Sequence, residues 1–156
     1  MTVQLPAYDR SKLTPGIVHI GLGNFHRAHM AVYLDDLFAM GLCHDWAILG
    51  AGVREGDARM RDALKGQDCL STVIELDPKG KSARRIGSMI DFLPVEPDNA
   101  ALIAAMSRPE IRIVSLTVTE GGYFINPATG LFDPANLEIA ADAGNPHRPA
   151  FGGIFA

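Results

Sequence analysis

Apolar positions along this chain follow two alternating rhythms. Ile17 to Ile20 is a short, mostly apolar run that ends at Gly21, as in a strand buried on both faces. From Phe25 to Met40 the spacing lengthens to three and four residues. That predicts one helix, with Ala28, Val32, Phe25 and Tyr33 on its inner face, Asp35 and Asp36 on a wetter side, and Gly41 as its stop. Trp46 to Gly50 predicts a second strand. Asp57 to Lys65 predicts a second helix, with Met60 and Leu64 on one face and Gly66 closing it.

The pattern then changes. Leu70 to Leu76 and Arg84 to Phe92 carry β-branched residues on either side of Asp77-Pro78-Lys79-Gly80, which predicts an antiparallel pair. Asn99 to Met106 reads as an apolar helix opened by Pro97 or Asp98, and Ile111 to Val118 as a third parallel strand. Leu137 to Ala143 reads as a short helix, and Ala150 to Ala156 as the start of another. Strands alternating with helices predict an α/β fold with right-handed crossovers. About three parallel strands plus a hairpin make roughly one half of a doubly wound, Rossmann-like sheet with an antiparallel hairpin insertion. Residues 1–15 read as an irregular lead-in and 16–156 as one dinucleotide-binding domain, incomplete at its C-terminal end.

Composition narrows the function more than the fold. A chain of 156 residues has room for one domain that buries about 70% of its unfolded surface. The net charge of −4 leaves no basic footprint for nucleic acid. Arg54, Arg59, Arg61 and Lys65 are interleaved with Glu55, Asp57 and Asp62, the pattern of a solvated helix face. Cys43 and Cys69 lie 26 residues apart and suit reduced, packed thiols better than a zinc site. The N-terminal stretch lacks the apolar core of a signal peptide, and the longest apolar run, Ala100 to Met106, is seven residues. The expectation is a soluble, cytoplasmic protein with no membrane partner.

Candidate chemistry concentrates where strands end. Gly21-Leu22-Gly23 between a strand and a helix is a turn that can set backbone N–H groups against a phosphate; a plain strand-to-helix turn is the alternative. His26 stands where the dinucleotide fingerprint has its third glycine. Asn24 is suited to cap the helix. Arg27 in its first turn opposes the helix dipole unless an anion is present. His26 and His29, with His19 nearby, lack the further ligands a metal needs and read instead as hydrogen-bonding groups of a pocket mouth or the interior.

After the second strand, Glu55 and Asp57 suit the 2′-hydroxyl of NAD, whereas Arg54 suits the 2′-phosphate of NADP. The fit is loose, because Glu55 lies 34 residues beyond Gly21 and the fingerprint expects an acid about 20 residues on. A helix N-terminus capped by its own acids explains the same residues. Thr119, Glu120 and the Gly121-Gly122 pair follow the third strand, at a third such end.

Taken together, GIVHIGLGNFHRAH, WAILGAGVREGDARMRDAL and IVSLTVTEGGY resemble the N-terminal NAD(P)-binding domain of the mannitol dehydrogenase family. These are metal-independent polyol dehydrogenases and uronate reductases, of the mannitol 2-dehydrogenase and fructuronate reductase types. The resemblance implies hydride transfer between nicotinamide and a polyol, keto-sugar or uronate, with a helical substrate domain following. It also implies a lysine base, with an asparagine and a histidine that polarise the carbonyl, all outside these 156 residues. It matches Gly21, Gly23, Phe25 and Arg27 to the phosphate turn, Glu55 and Asp57 to the ribose region, and Glu120 to an auxiliary glutamate near the active-site mouth. On that footing the chain is a truncated cofactor domain that binds NAD, with NADP open, holds no metal and does not turn over alone. A stand-alone nucleotide-binding module and a non-functional gene remnant remain the alternatives.

Overall fold

The computed structural model describes residues 2–78, 80–118 and 120–144, with the Glu120 side chain left out. They form two compact units that meet in sequence between Thr117 and Val118.

The first unit is built on a parallel sheet. Its strands are β2 (Pro15–Ile20), β3 (Ala47–Ala51), β6 (Met89–Phe92) and β7 (Ile113–Leu116), in the order β6-β3-β2-β7. Ile17 pairs with Ile48 on one side and Ile113 on the other, and Val18 with Leu49 and Val114. Ile17 and Ile48 enter a core with Ala31 and Leu64 from the helices on one face. Val18 and Leu49 enter a second core with Leu102 and Ala105 on the other. Burial on both faces explains why β2 and β3 read as apolar runs rather than alternations. The strand order reverses between β2 and β7, which makes the fold Rossmann-like and doubly wound, with a switch point there.

A smaller mixed sheet, in the order β1-β5-β4, comprises β1 (Val3–Gln4), β4 (Ser71–Asp77) and β5 (Gly80–Ile86). β4 and β5 are antiparallel and close at Asp77 opposite Gly80, the turn expected from sequence. The expected partner strand Arg84–Phe92 is two strands, however. The chain bends at Gly87 and Ser88, and β6 runs parallel to β3 instead of continuing the hairpin. A Cβ on Gly87 would lie 2.8 Å from Arg10 and 2.9 Å from Pro6, and its N–H donates to Asp35 at 2.8 Å. Ser88 donates to the Ala31 carbonyl at 2.7 Å. These anchors come from far along the chain and fix the bend.

The expected helix from Phe25 to Met40 is also two: α1 (Asn24–Ala28) and α2 (Met30–Ala39), broken at His29 with φ −126° and ψ −84°. The buried positions are His26 and then Ala31, Asp35 and Phe38. Five residues of helix rotate the face by about 140°, so one straight helix cannot bury both His26 and Ala31. Phe25 and Tyr33, expected inward, are exposed, as is Ala28, and only Val32 of that set packs against the core. Asp35, expected to be wet, is buried: it accepts hydrogen bonds from the Tyr8 hydroxyl and the Gly87 N–H. Burial, reinforced by Asp35, pushes the Tyr8 hydroxyl well above its ordinary pKa. Gly41, at φ +77°, does stop α2.

α3 (Asp57–Lys65) has the bounds expected, with Leu64 buried and Gly66 at its end. α4 (Ala100–Met106) starts where the Ala100 N–H meets the Asp98 carboxylate and the Ala101 N–H meets Glu96. Cys43 is exposed, Cys69 is buried, and neither is in a disulfide. Among the described residues no helix is long and apolar enough to cross a membrane.

In the second unit a 3-10 turn spans Glu120–Tyr123. A short antiparallel bridge joins Ile125 to Phe132. α5 (Leu137–Gly144) follows, its Glu138 N–H capped by the Asn136 side chain at 2.9 Å. The expected helix from Ala150 to Ala156 lies outside the described residues.

Candidate functional site

β2 ends at Ile20, and Gly21 turns the chain with φ +92°, a conformation that suits glycine. Its N–H donates to the Ala51 carbonyl at the end of β3, at 3.1 Å. A Cβ there would lie 2.7 Å from the Thr117 carbonyl, just past β7. Gly21 is therefore wedged between the carboxyl ends of two strands. The Gly23 N–H donates to the Gly21 carbonyl at 2.9 Å, closing the turn. Leu22 is buried and sits over Gly50, where an added Cβ would lie 2.2 Å from Leu22 Cδ1.

Gly23 differs in kind. Its backbone is extended, at φ −67° and ψ 179°, and a Cβ there would meet nothing within 4 Å. Among the described residues no neighbour demands glycine at this position, and the backbone there is exposed.

α1 starts at once. Asn24, expected as the cap, is already in the helix, and Gly23 holds the cap position without a side-chain bond. The Asn24 side-chain oxygen instead accepts from Arg27 at 2.6 Å, and Arg27 Nε lies 3.4 Å from the Gly23 carbonyl. Folding back on the turn places the guanidinium beside the helix start, where an anion would gain from it. Phe25 is exposed, its ring 4.6 Å from that of His29. Gly21, Gly23, Asn24, Phe25 and Arg27 thus share one turn.

Beneath it, His19 on β2 bridges to β7. Its Nδ1 lies 2.8 Å from Ser115 Oγ and its Nε2 2.9 Å from Thr117 Oγ1. The His26 ring stacks on it, with centroids 3.6 Å apart and planes 13° apart. Desolvation by burial holds His19 below its ordinary pKa. Burial, with His19 and Arg27 adding, takes His26 down to about 3. His19 therefore fits the hydrogen-bonding role expected of these histidines, whereas neither ring nitrogen of His26 has a hydrogen-bond partner among the described residues.

At the end of β3, one Asp57 oxygen accepts from the Val53 and Arg54 N–H groups at 3.0 and 3.1 Å. A Cβ on Gly52 would lie 2.3 Å from Asp57 Cβ. Asp57 thereby closes the β3–α3 turn, while Arg54 and Glu55 are exposed beside it. Thr119 lies outside the described residues, and Glu120 begins the 3-10 turn of the second unit. Sequence reasoning weighed Gly52 in a glycine cluster after the second strand and Thr117 at the start of the turn after the third, but passed over Ser115 and the pairing of Thr117 with His19. The signal it could have used is the i, i+2 spacing of Ser115 and Thr117, which sets both on one face of a strand neighbouring His19. Among the described residues no three His, Cys, Asp or Glu side chains gather to hold a metal ion.

A turn that brings a glycine backbone to the carboxyl ends of parallel strands, at a switch point, is where doubly wound sheets take nucleotides. Comparison with known proteins supports the Rossmann-like fold. The model of the mannitol dehydrogenase Rossmann domain matches residues 15–150. A mannitol 2-dehydrogenase of Cereibacter sphaeroides is 70% identical over 157 residues, 99% of this chain and 33% of the relative. A polyol:NADP oxidoreductase of Gluconobacter oxydans (strain 621H) is 44% identical over 151 residues, 95% of this chain and 31% of the relative. The solved mannitol 2-dehydrogenase of Pseudomonas fluorescens, a ternary complex with NAD and D-mannitol, superposes with a TM-score of 0.81 at 47% identity. That match covers 94% of this chain and 30% of the other. The chain spans about a third of the length of the relatives it matches.

Proposed function

This chain belongs to the mannitol dehydrogenase family, and on that premise we propose that it is the NAD(H)-binding part of an oxidoreductase acting on a polyol and its keto-sugar. The observation that carries the reading is the Gly21-Leu22-Gly23 turn, wedged at the switch point with the open Gly23 backbone outward. The residues fit the group. Gly21 and Gly23 let the backbone come close to a pyrophosphate, and Asn24 and Phe25 border it. Arg27 meets its charge. At the end of β3, exposed Glu55 accepts from a ribose 2′-hydroxyl, and Asp57 shapes the turn that presents Glu55. In sequence Thr119 and Glu120 come after β7; that place in the sequence is what gives Thr119 a cofactor-binding role, and the family resemblance is what gives Glu120 an auxiliary acid role.

When bound, the nicotinamide supplies the hydride acceptor or donor; these residues bind and orient. Mannitol or a related polyol is the proposed substrate, supported by what the relatives are named for. The uronate reading draws no support from those names. We further propose that these 156 residues bind cofactor without turnover, since they span a third of the relatives. Reduction of NAD by mannitol on the isolated chain would overturn that part.

NADP is the second reading, favoured by exposed Arg54 and by the polyol:NADP oxidoreductase relative. Calorimetric titration of the chain with NADH and with NADPH tests both. Tighter binding of NADH is expected, and equal or tighter binding of NADPH assigns the site to Arg54.

A further inference from the structure

The third position of the glycine pattern ordinarily lacks a side chain so that helix and strand can touch. Here it is His26, 2% exposed, and what it touches is another histidine. His19 cannot shift freely, because Ser115 on β7 and Thr117 just past its end hold both its ring nitrogens. The stack therefore ties the first turn of α1 to the two strands that flank the switch point. On its other side the turn is held by Leu22 over Gly50.

A leucine or phenylalanine at position 26 would fill the same space without burying two unpartnered nitrogens, which costs stability. Stability alone is therefore a poor reason for an imidazole there. What the imidazole has that an aliphatic side chain lacks is flatness: it spaces helix from strand by one ring thickness.

Resting on the reading of this turn as a dinucleotide site, we propose that His26 is a positioning residue. Its ring, stacked on His19, sets the height of Gly23 and Arg27 above the ends of β2 and β7, and so the affinity for the cofactor pyrophosphate. His26 touches no cofactor itself. It acts through the backbone that follows from it: the Arg27 N–H bonds the Gly23 carbonyl at 3.3 Å, so α1 and the turn move together.

The test is calorimetric titration of NADH into the parent chain and four variants, at a temperature where circular dichroism shows each folded. His26→Phe keeps a flat ring and is expected to bind within about twofold of the parent. His26→Ala removes the spacer and is expected to weaken binding about tenfold. His26→Leu fills the volume with a thicker side chain and is expected to weaken binding about fivefold, which serves where His26→Ala does not fold. Leu102→Ala, in the core on the other face of the sheet, lowers the thermal midpoint and is expected to leave affinity unchanged. Parent-like affinity in His26→Leu, or in His26→Ala where it folds, overturns the proposal. So does an equal loss in Leu102→Ala. Absence of binding by the parent overturns the dinucleotide reading itself, a result distinct from a difference among variants.

Discussion

Replacing His26 with phenylalanine will blunt the loss of stability that this fold suffers in mild acid. In the folded chain, burial holds the imidazole neutral down to about 3, against an ordinary value of 6.5. Between those values the unfolded chain binds a proton that the folded chain refuses, so stability falls as pH falls. Above 6.5 both forms are neutral and the residue contributes nothing; below about 3 the loss is complete. At pH 5, about 1.5 units into the window, the loss is at most about 2 kcal/mol. For a chain of this size that is a fall of about 4–8 °C in thermal midpoint relative to pH 8. His19, also held below its ordinary value by burial, loses stability with the same sign and remains in the variant, so part of the slope persists. Thermal unfolding of parent and His26→Phe by calorimetry from pH 8 to pH 5 reads the difference. The variant should lose several degrees less. Curves that fall in parallel across the whole range would refute the argument, because they would mean that His26 is not kept neutral by burial.

Two glycines of one turn separate fold from function. Gly21→Ala forces φ +92° on a residue with a Cβ and sets that atom 2.7 Å from the Thr117 carbonyl, so it should cost about 2 kcal/mol or more in urea unfolding. Gly23→Ala meets nothing within 4 Å and should change stability by less than about 1 kcal/mol, yet weaken NADH binding measurably by calorimetry. Asp35→Ala strands the Tyr8 hydroxyl and the buried Gly87 N–H and should cost about 2–4 kcal/mol in urea unfolding. A loss below about 0.5 kcal/mol would mean those donors find water instead.

The sequence exposed features whose causes are local. α3 was legible because Met60, Leu64 and Gly66 carry its face and its stop within one short segment. β2 and β3 were legible because burial on both faces leaves an apolar run with a glycine after it. The Gly21 turn was legible because the glycine stands directly after a strand, although the contact that forbids a Cβ there comes from Thr117, far along the chain.

What was missed is set by partners far along the chain. Asp35 is an acid in an amphipathic pattern until Tyr8, 27 residues before it, and Gly87, 52 after it, arrive with donors. The break at His29 follows from His26 being drawn onto His19, which no periodicity within the helix reports. The split between β5 and β6 is held by Arg10 and Pro6 against Gly87. At the site, Gly21, Gly23, Phe25 and Arg27 were visible as a motif, while the His19–His26 stack beneath them depends on β7, about 90 residues on.

The proposed role of the Gly21–Gly23 turn is to hold the phosphates of a nicotinamide dinucleotide. Trp46 precedes β3, at the end opposite the turn, and stacks under Arg112, so its fluorescence is a poor reporter of this site. Heat of binding is the direct one. Titration of NADH into the parent chain and into Gly23→Ala should give a saturable one-to-one isotherm for the parent and a clearly weaker one for the variant, with thermal midpoints unchanged. No saturable heat from the parent up to millimolar NADH, or equal affinity in the two proteins, would contradict it.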